Sequence, residues 1–101
     1  MIVTRWLAPL VPKPEQMHKW FEKEGLTASK EHLKANAHFK NLRHPFDNII
    51  LVAEGELLLN VTGNKILLRP GDKVVIPSNT KFSKQVNGDE DCLLLIARKA
   101  S

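Results

Sequence analysis

At 101 residues, with 43% hydrophobic and 26% charged side chains, the chain has the balance of a globular domain and not of a disordered or fibrous one. Its one cysteine, Cys92, excludes an internal disulfide framework, and no apolar run approaches the length of a bilayer-spanning helix. The net charge of +4 arises from lysines interleaved with carboxylates, without the clustered, aromatic-laced stretch of a nucleic-acid footprint, so a cytoplasmic protein binding neither nucleic acid nor membrane is expected.

Residues 3–11 are broken by Arg5 and Pro9 and followed by Pro12 and Pro14, which is too short and interrupted for a secretory leader. Residues 14–25 read as the one clear helix. Pro14 suits the first helical position and Glu15 the positive end of the macrodipole. Met17, Trp20 and Phe21 fall at i, i+3 and i+4 and form a narrow apolar stripe. Gly25 stands where a left-handed stop belongs, with Leu26 able to cover Phe21. His18 lies beside the stripe and reads as a surface residue.

Beyond Gly25 the period changes from 3.6 to 2. Odd positions carry Leu33, Ala35, Ala37 and Phe39, while even ones carry Lys30, His32, Lys34, Asn36, His38 and Lys40. That alternation predicts extended chain with one buried and one wet face, and it places His32 and His38 at the surface.

From residue 49 onward, short apolar runs alternate with turn signals. Residues 49–53 end at Glu54-Gly55, 56–61 at Thr62-Gly63-Asn64, and 65–68 at Pro70-Gly71-Asp72. Residues 73–76 end at Pro77-Ser78-Asn79-Thr80, 81–86 at Asn87-Gly88-Asp89, and 92–98 form the last run. Such punctuation predicts an all-β barrel or sandwich. The runs 49–52, 57–59 and 93–96 are apolar on both faces. A barrel wall needs only one apolar face, so the outer faces of Ile49, Leu51 and Leu57 need a cover. Three helical side chains look too few, and a homodimer is the expected solution.

Residues 44–82 resemble a small single-domain cupin, the double-stranded β-helix or RmlC-like jelly-roll barrel. The first motif is similar to His44-Pro45-Phe46-Asp47-Asn48 running to Gly55. The second is similar to Pro70-Gly71-Asp72 through Ile76-Pro77 to Phe82. The helix ending at Glu24-Gly25-Leu26, followed by extended chain, resembles a subgroup of short bacterial cupins. The resemblance implies an all-β jelly-roll with one short N-terminal helix. One domain would fill residues 1–101, with an arm and helix over 1–28 and the barrel over 29–101.

Metal-binding cupins supply two histidines and a glutamate from the first motif and one histidine from the second. Carried over by spacing, those positions are Leu42, His44, Asn48 and Phe82. Leucine and phenylalanine cannot donate to a metal, and an amide does not replace a charge-balancing carboxylate. His38, Asp47 and Cys92 are the possible substitutes. Asp47 has the wrong parity, and Cys92 reads as a small buried hydrophobe. No motif pairs a serine, threonine or cysteine with a base. The implied function is a metal-free, cofactor-free module that binds a small molecule at the barrel mouth, around Leu42, His44, Asn48 and Phe82. The alternative is a small oxygenase or isomerase with a rearranged metal site, or with His44 as general base. That base would need a buried acid to orient it, and Asp47 is the one acid nearby.

Overall fold

A computed structural model describes residues 1–99. In chain order its elements are β1 (Ile2–Thr4), α1 (Pro14–Lys23), β2 (Ala28–Leu33), β3 (His38–Leu42), β4 (Asp47–Glu54), β5 (Leu57–Val61), β6 (Asn64–Leu68), β7 (Lys73–Ile76), β8 (Phe82–Val86) and β9 (Cys92–Lys99). They form two antiparallel sheets, five strands in the order β1-β7-β4-β9-β2 and four in the order β3-β8-β5-β6. The strands after residue 45 fall where the turn signals place them, because each turn is fixed by local chemistry.

The helix stops two residues earlier than its sequence pattern suggests. Gly25 adopts a φ of 74°, the Leu26 N–H donates to the Phe21 carbonyl at 2.9 Å, and the Gly25 N–H donates to Glu22 at 3.0 Å. These are the two bonds of a Schellman stop, which satisfies carbonyls that the helix end would otherwise orphan. At the other end the Gln16 side-chain oxygen accepts the Lys13 N–H at 3.2 Å, with Pro14 at the first turn.

Two apolar clusters hold the molecule together. The inner one fills the space between the sheets with Ile50, Val52, Leu57, Leu59, Val61, Leu68, Val74, Ile76, Phe82, Val86 and Leu94. The outer one packs Met17 and Phe21 of α1, with Ala28, on Ile49, Leu51, Ala53, Leu95 and Ala97. Trp20, Leu26, Val75 and Leu93 border it. This corrects the expectation that Ile49, Leu51 and Leu57 lack a cover within the chain. Leu57 faces inward, and Ile49 and Leu51 are buried by the chain's own helix, so the sheet needs no second subunit for cover. The narrow stripe suffices because chain beyond the helix, Leu26 and Ala28, widens it.

The period-2 reading of residues 29–40 breaks at two places. Asn36, at a φ of 65°, turns the chain between β2 and β3. Within β3 the register against β8 slips, since Phe39 pairs with Lys84 while Leu42 pairs with Phe82. Three steps on one strand thus match two on the other, which is a β-bulge, and Asn41 takes a φ of 57° there. Leu42 therefore shares a face with Phe39, not with His38, and Phe39 remains exposed.

The N-terminal arm also holds an element that the sequence pattern does not reveal. Strand β1 pairs with β7, Val3 opposite Val74. Just beyond it, Trp6 lies on Gly71, where an added Cβ would sit 2.5 Å from the Trp6 Cβ. At a φ of 96°, that turn requires glycine for its backbone as well as for the close approach.

Candidate functional site

One end of the barrel is rimmed by two connections, residues 43–46 between β3 and β4 and residues 77–81 between β7 and β8. Backbone bonds tie them together. The Asn79 N–H donates to the His44 carbonyl at 2.7 Å, and the Asp47 carboxylate accepts the Ser78 N–H at 2.9 Å. Asp47 is thereby committed to the rim. As its strand parity indicates, it does not point into the barrel.

Beneath the rim the four positions inferred from the motif lie as follows. Leu42 and Phe82 are register partners on β3 and β8. Phe82 is 3% exposed and belongs to the inner core, with Leu42 packed against that core. The half-buried His44 ring lies 5.8 Å from the Phe82 ring and stacks on Phe46 at 5.1 Å. The Arg98 guanidinium also lies over the Phe46 ring, at 4.8 Å. Asn48 shares the inward face of β4 with Ile50 and Val52, is 4% exposed, and its Oδ1 has no hydrogen-bond partner. An orphaned buried carbonyl oxygen costs about 1–3 kcal/mol, so this one calls for a reason.

The donor set does not fit a transition-metal centre. One imidazole and one neutral amide stand where two hydrocarbon side chains complete the ring of positions, and such ions need several nitrogen, oxygen or sulfur donors. Among the described residues no three histidine, cysteine, aspartate or glutamate side chains converge on one point. His38 is exposed on β3, on the surface side that the sequence alternation indicates, and the bulge at Asn41 puts it on the opposite face from Leu42. Cys92 begins β9, six residues from Arg98, which puts it about 20 Å along the strand from the end of β9 that pairs with Asn48. Burial pushes its thiol up to about 11, with Glu31 adding to the shift and Lys84 opposing it. At neutral pH Cys92 is a protonated core residue, not a thiolate ligand.

Nor does His44 have an orienting acid. Among the described residues it makes no ion pair, and its neighbours are the Phe46 and Phe82 rings. Acid–base work of the kind His44 would need depends on such a partner.

An interior ion pair is absent from the sequence reading, in which Lys84 and Glu31 pass for solvated surface charges. Lys84 lies between Phe82 and Val86 on β8 and shares their inward parity, which was the available signal. Its ammonium pairs with the Glu31 carboxylate of β2, and its Nζ sits 5.6 Å from the centre of the Phe39 ring. The pair joins β2, an edge strand of the five-stranded sheet, to β8, which lies inside the four-stranded one, with the Lys84 side chain 10% and Glu31 38% exposed. Glu31→Ala should cost about 1–3 kcal/mol in urea denaturation, because it strands an ammonium; water reaching Glu31 keeps the loss below that of a fully buried pair. Lys84→Met should be neutral or stabilising. Equal losses in both variants would show that packing, not charge, holds this edge.

A family model described as "Cupin domain" matches residues 29–97. No curated protein matches the sequence. Among solved structures, the Cnp3 cupin domain of Schizosaccharomyces pombe superposes with a TM-score of 0.70 at 13% identity, over 75% of this chain and 56% of that one. The dimethylsulfoniopropionate (DMSP) lyase DddQ of Ruegeria pomeroyi gives 0.68 at 23% identity, over 75% and 39%. An RmlC-like cupin from Shewanella frigidimarina gives 0.66 at 22%, over 75% and 67%. This chain thus spans little more than half of the first structure and two-fifths of the second. At these identities the likeness is one of fold.

Proposed function

The chain belongs to the cupin domain family, and we propose that it works within that family as a metal-free module binding a small, partly apolar molecule at the barrel mouth. The observation that carries this reading is the unpartnered Asn48 oxygen, held on the inner face of β4. A ligand donor, an N–H or O–H, would satisfy it. Leu42, Phe82 and Phe46 supply apolar walls, and His44 supplies a polar edge at the rim. Such a mix of apolar lining and a few placed polar groups is what small-molecule sites need. The reading keeps a reducing, cytoplasmic setting, in which the buried Cys92 remains a thiol. It invokes no second subunit, since α1 already covers the outer face of the five-stranded sheet.

The test is one thermal-shift experiment on the parent and on Asn48→Leu. Zinc, nickel and iron should move the parent's Tm little, because weak binders stabilise weakly by mass action. Hits from a panel of small hydrogen-bond donors such as phenols, indoles and primary amides should raise the parent's Tm and lose that effect in Asn48→Leu. The variant itself should melt at or above the parent, since it replaces an orphaned polar group with hydrocarbon of similar size. Stoichiometric metal that survives dialysis and is lost in His44→Ala would overturn the reading, as would hits that shift both proteins equally.

A further inference from the structure

The outer face of the five-stranded sheet is covered by α1, but the outer face of the four-stranded sheet is bare and concave. A groove of about 520 Å³ runs across it. Lys40 on β3, Lys65 on β6 and Lys81 at the foot of β8 stand around it with His38, and Asn60 and Gln85 lie among them. In sequence these lysines are 25 and 16 residues apart, and each reads as one more scattered surface charge. The strand order β3-β8-β5-β6 brings them to one groove, which corrects the even spread of charge inferred from the sequence. Among the described residues no carboxylate lines the groove, and none of the three lysines has an ion-pair partner. A chain with 11 acidic residues therefore places none of them against this particular concavity. Uncompensated positive charge in a cleft raises the local concentration of anions.

We propose that this groove is a second binding site, distinct from the barrel mouth, for a small hydroxylated anion of sugar size bearing a phosphate or carboxylate. The three ammonium groups supply the charge recognition. The Asn60 and Gln85 amides and the Ser83 hydroxyl supply donors and acceptors suited to hydroxyl groups, and half-buried Leu58 gives an apolar patch. The volume lies in the range of small-molecule clefts. A single-stranded nucleic acid fits less well. Binding of that kind relies on a series of exposed aromatic faces on which successive bases stack; of the two aromatic rings in the lining, Phe82 is buried in the core, which leaves the His38 imidazole alone.

Calorimetric titrations at low salt with glucose 6-phosphate, glucuronate, glucose and a single-stranded oligonucleotide test the proposal. At least one of the two anionic sugars should bind at least ten-fold more tightly than glucose. Which one binds more tightly assigns the group as phosphate or carboxylate. The affinity should fall as salt screens the lysines, and it should drop at least ten-fold in Lys40→Gln/Lys65→Gln/Lys81→Gln. Lys13→Gln/Lys19→Gln/Lys30→Gln, with the same change in net charge, should bind like the parent, and so should Asn48→Leu, which separates this site from the mouth. The proposal fails if neither anionic sugar outbinds glucose, if both triple variants weaken binding equally, or if the oligonucleotide alone binds.

Discussion

Phe82→Ala should destabilise the protein by about 3–5 kcal/mol, the usual cost of deleting a buried aromatic ring together with the cavity left behind. Phe82 is 3% exposed, faces Leu42 across one strand boundary and Val61 across the other, and meets the His44 ring at its edge. None of these neighbours can collapse far into the space, because each is fixed by a strand ladder or by the rim bond from Asn79 to the His44 carbonyl. Urea denaturation at constant m-value measures the loss. Phe82→Leu, which keeps most of the hydrocarbon, should lose much less. A Phe82→Ala variant within 1 kcal/mol of the parent would mean that the ring does not fill the barrel, and the reading of this position as hydrocarbon in place of a metal ligand would fall with it.

Phe82 was legible because its signal is local. The Pro70-Gly71-Asp72 turn fixes where β7 starts, Pro77 ends it, and parity with Val86 then sets which way residue 82 points. The helix stop at Gly25 was legible for the same reason. What escaped depends on contacts between segments far apart in the chain. The β3 bulge at Asn41 inverts parity between His38 and Leu42, and a period-2 count cannot detect an extra residue. Lys84 had the parity of a core residue, but its charge argued for the surface until Glu31 of β2 was seen to meet it. The groove lysines look scattered until the strand order is known. The cover for Ile49 and Leu51 looked insufficient because the sequence does not show that residues 26–28 extend the helix's apolar footprint.

The mouth and the groove make opposite demands on the same strands. Along β8, Phe82, Lys84 and Val86 face the interior while Ser83 and Gln85 face the groove, so one five-residue strand lines both proposed sites. Binding in one should leave the other unchanged so long as the strand stays rigid between its neighbours β3 and β5. Substitutions at Phe82 are therefore poor probes of either site by themselves, and Asn48 and the three lysines are the cleaner handles.

Asp72→Ala should cost about 2–4 kcal/mol and release the N-terminal arm, because one carboxylate holds three donors at once. Its Oδ1 accepts the Trp6 N–H at 2.9 Å, and its Oδ2 accepts the Arg69 N–H at 3.0 Å and the Arg5 guanidinium at 2.9 Å. Removing it orphans two backbone N–H groups and costs Arg5 its ion pair, leaving the guanidinium its bond to the Leu67 carbonyl, and each lost bond to a charged acceptor is worth about 1.5–3 kcal/mol before water repays part of it. Burial pushes the Asp72 carboxyl up, but the bonds from Arg69, Trp6 and Arg5, with the Arg5 charge, outweigh it and hold the group below the ordinary aspartate value. The sign follows from linkage. The unfolded chain binds this proton at a higher pH than the folded one, so the stabilisation is complete above the unfolded pKa, near 4, and is lost as pH falls through the lower folded value. Trp6 and Trp20, the chain's two tryptophans, have their rings 5.5 Å apart, so intrinsic fluorescence reports whether the arm is docked. Acidification below about pH 4 should change that fluorescence in the parent. Asp72→Ala should show the undocked signal already at pH 7, with faster proteolysis within residues 5–12. If the variant keeps the parent's fluorescence and protease resistance at pH 7, the pairing of β1 with β7 and the packing of Trp6 on Gly71 hold the arm without Asp72, and the carboxylate's role is confined to the turn at Arg69.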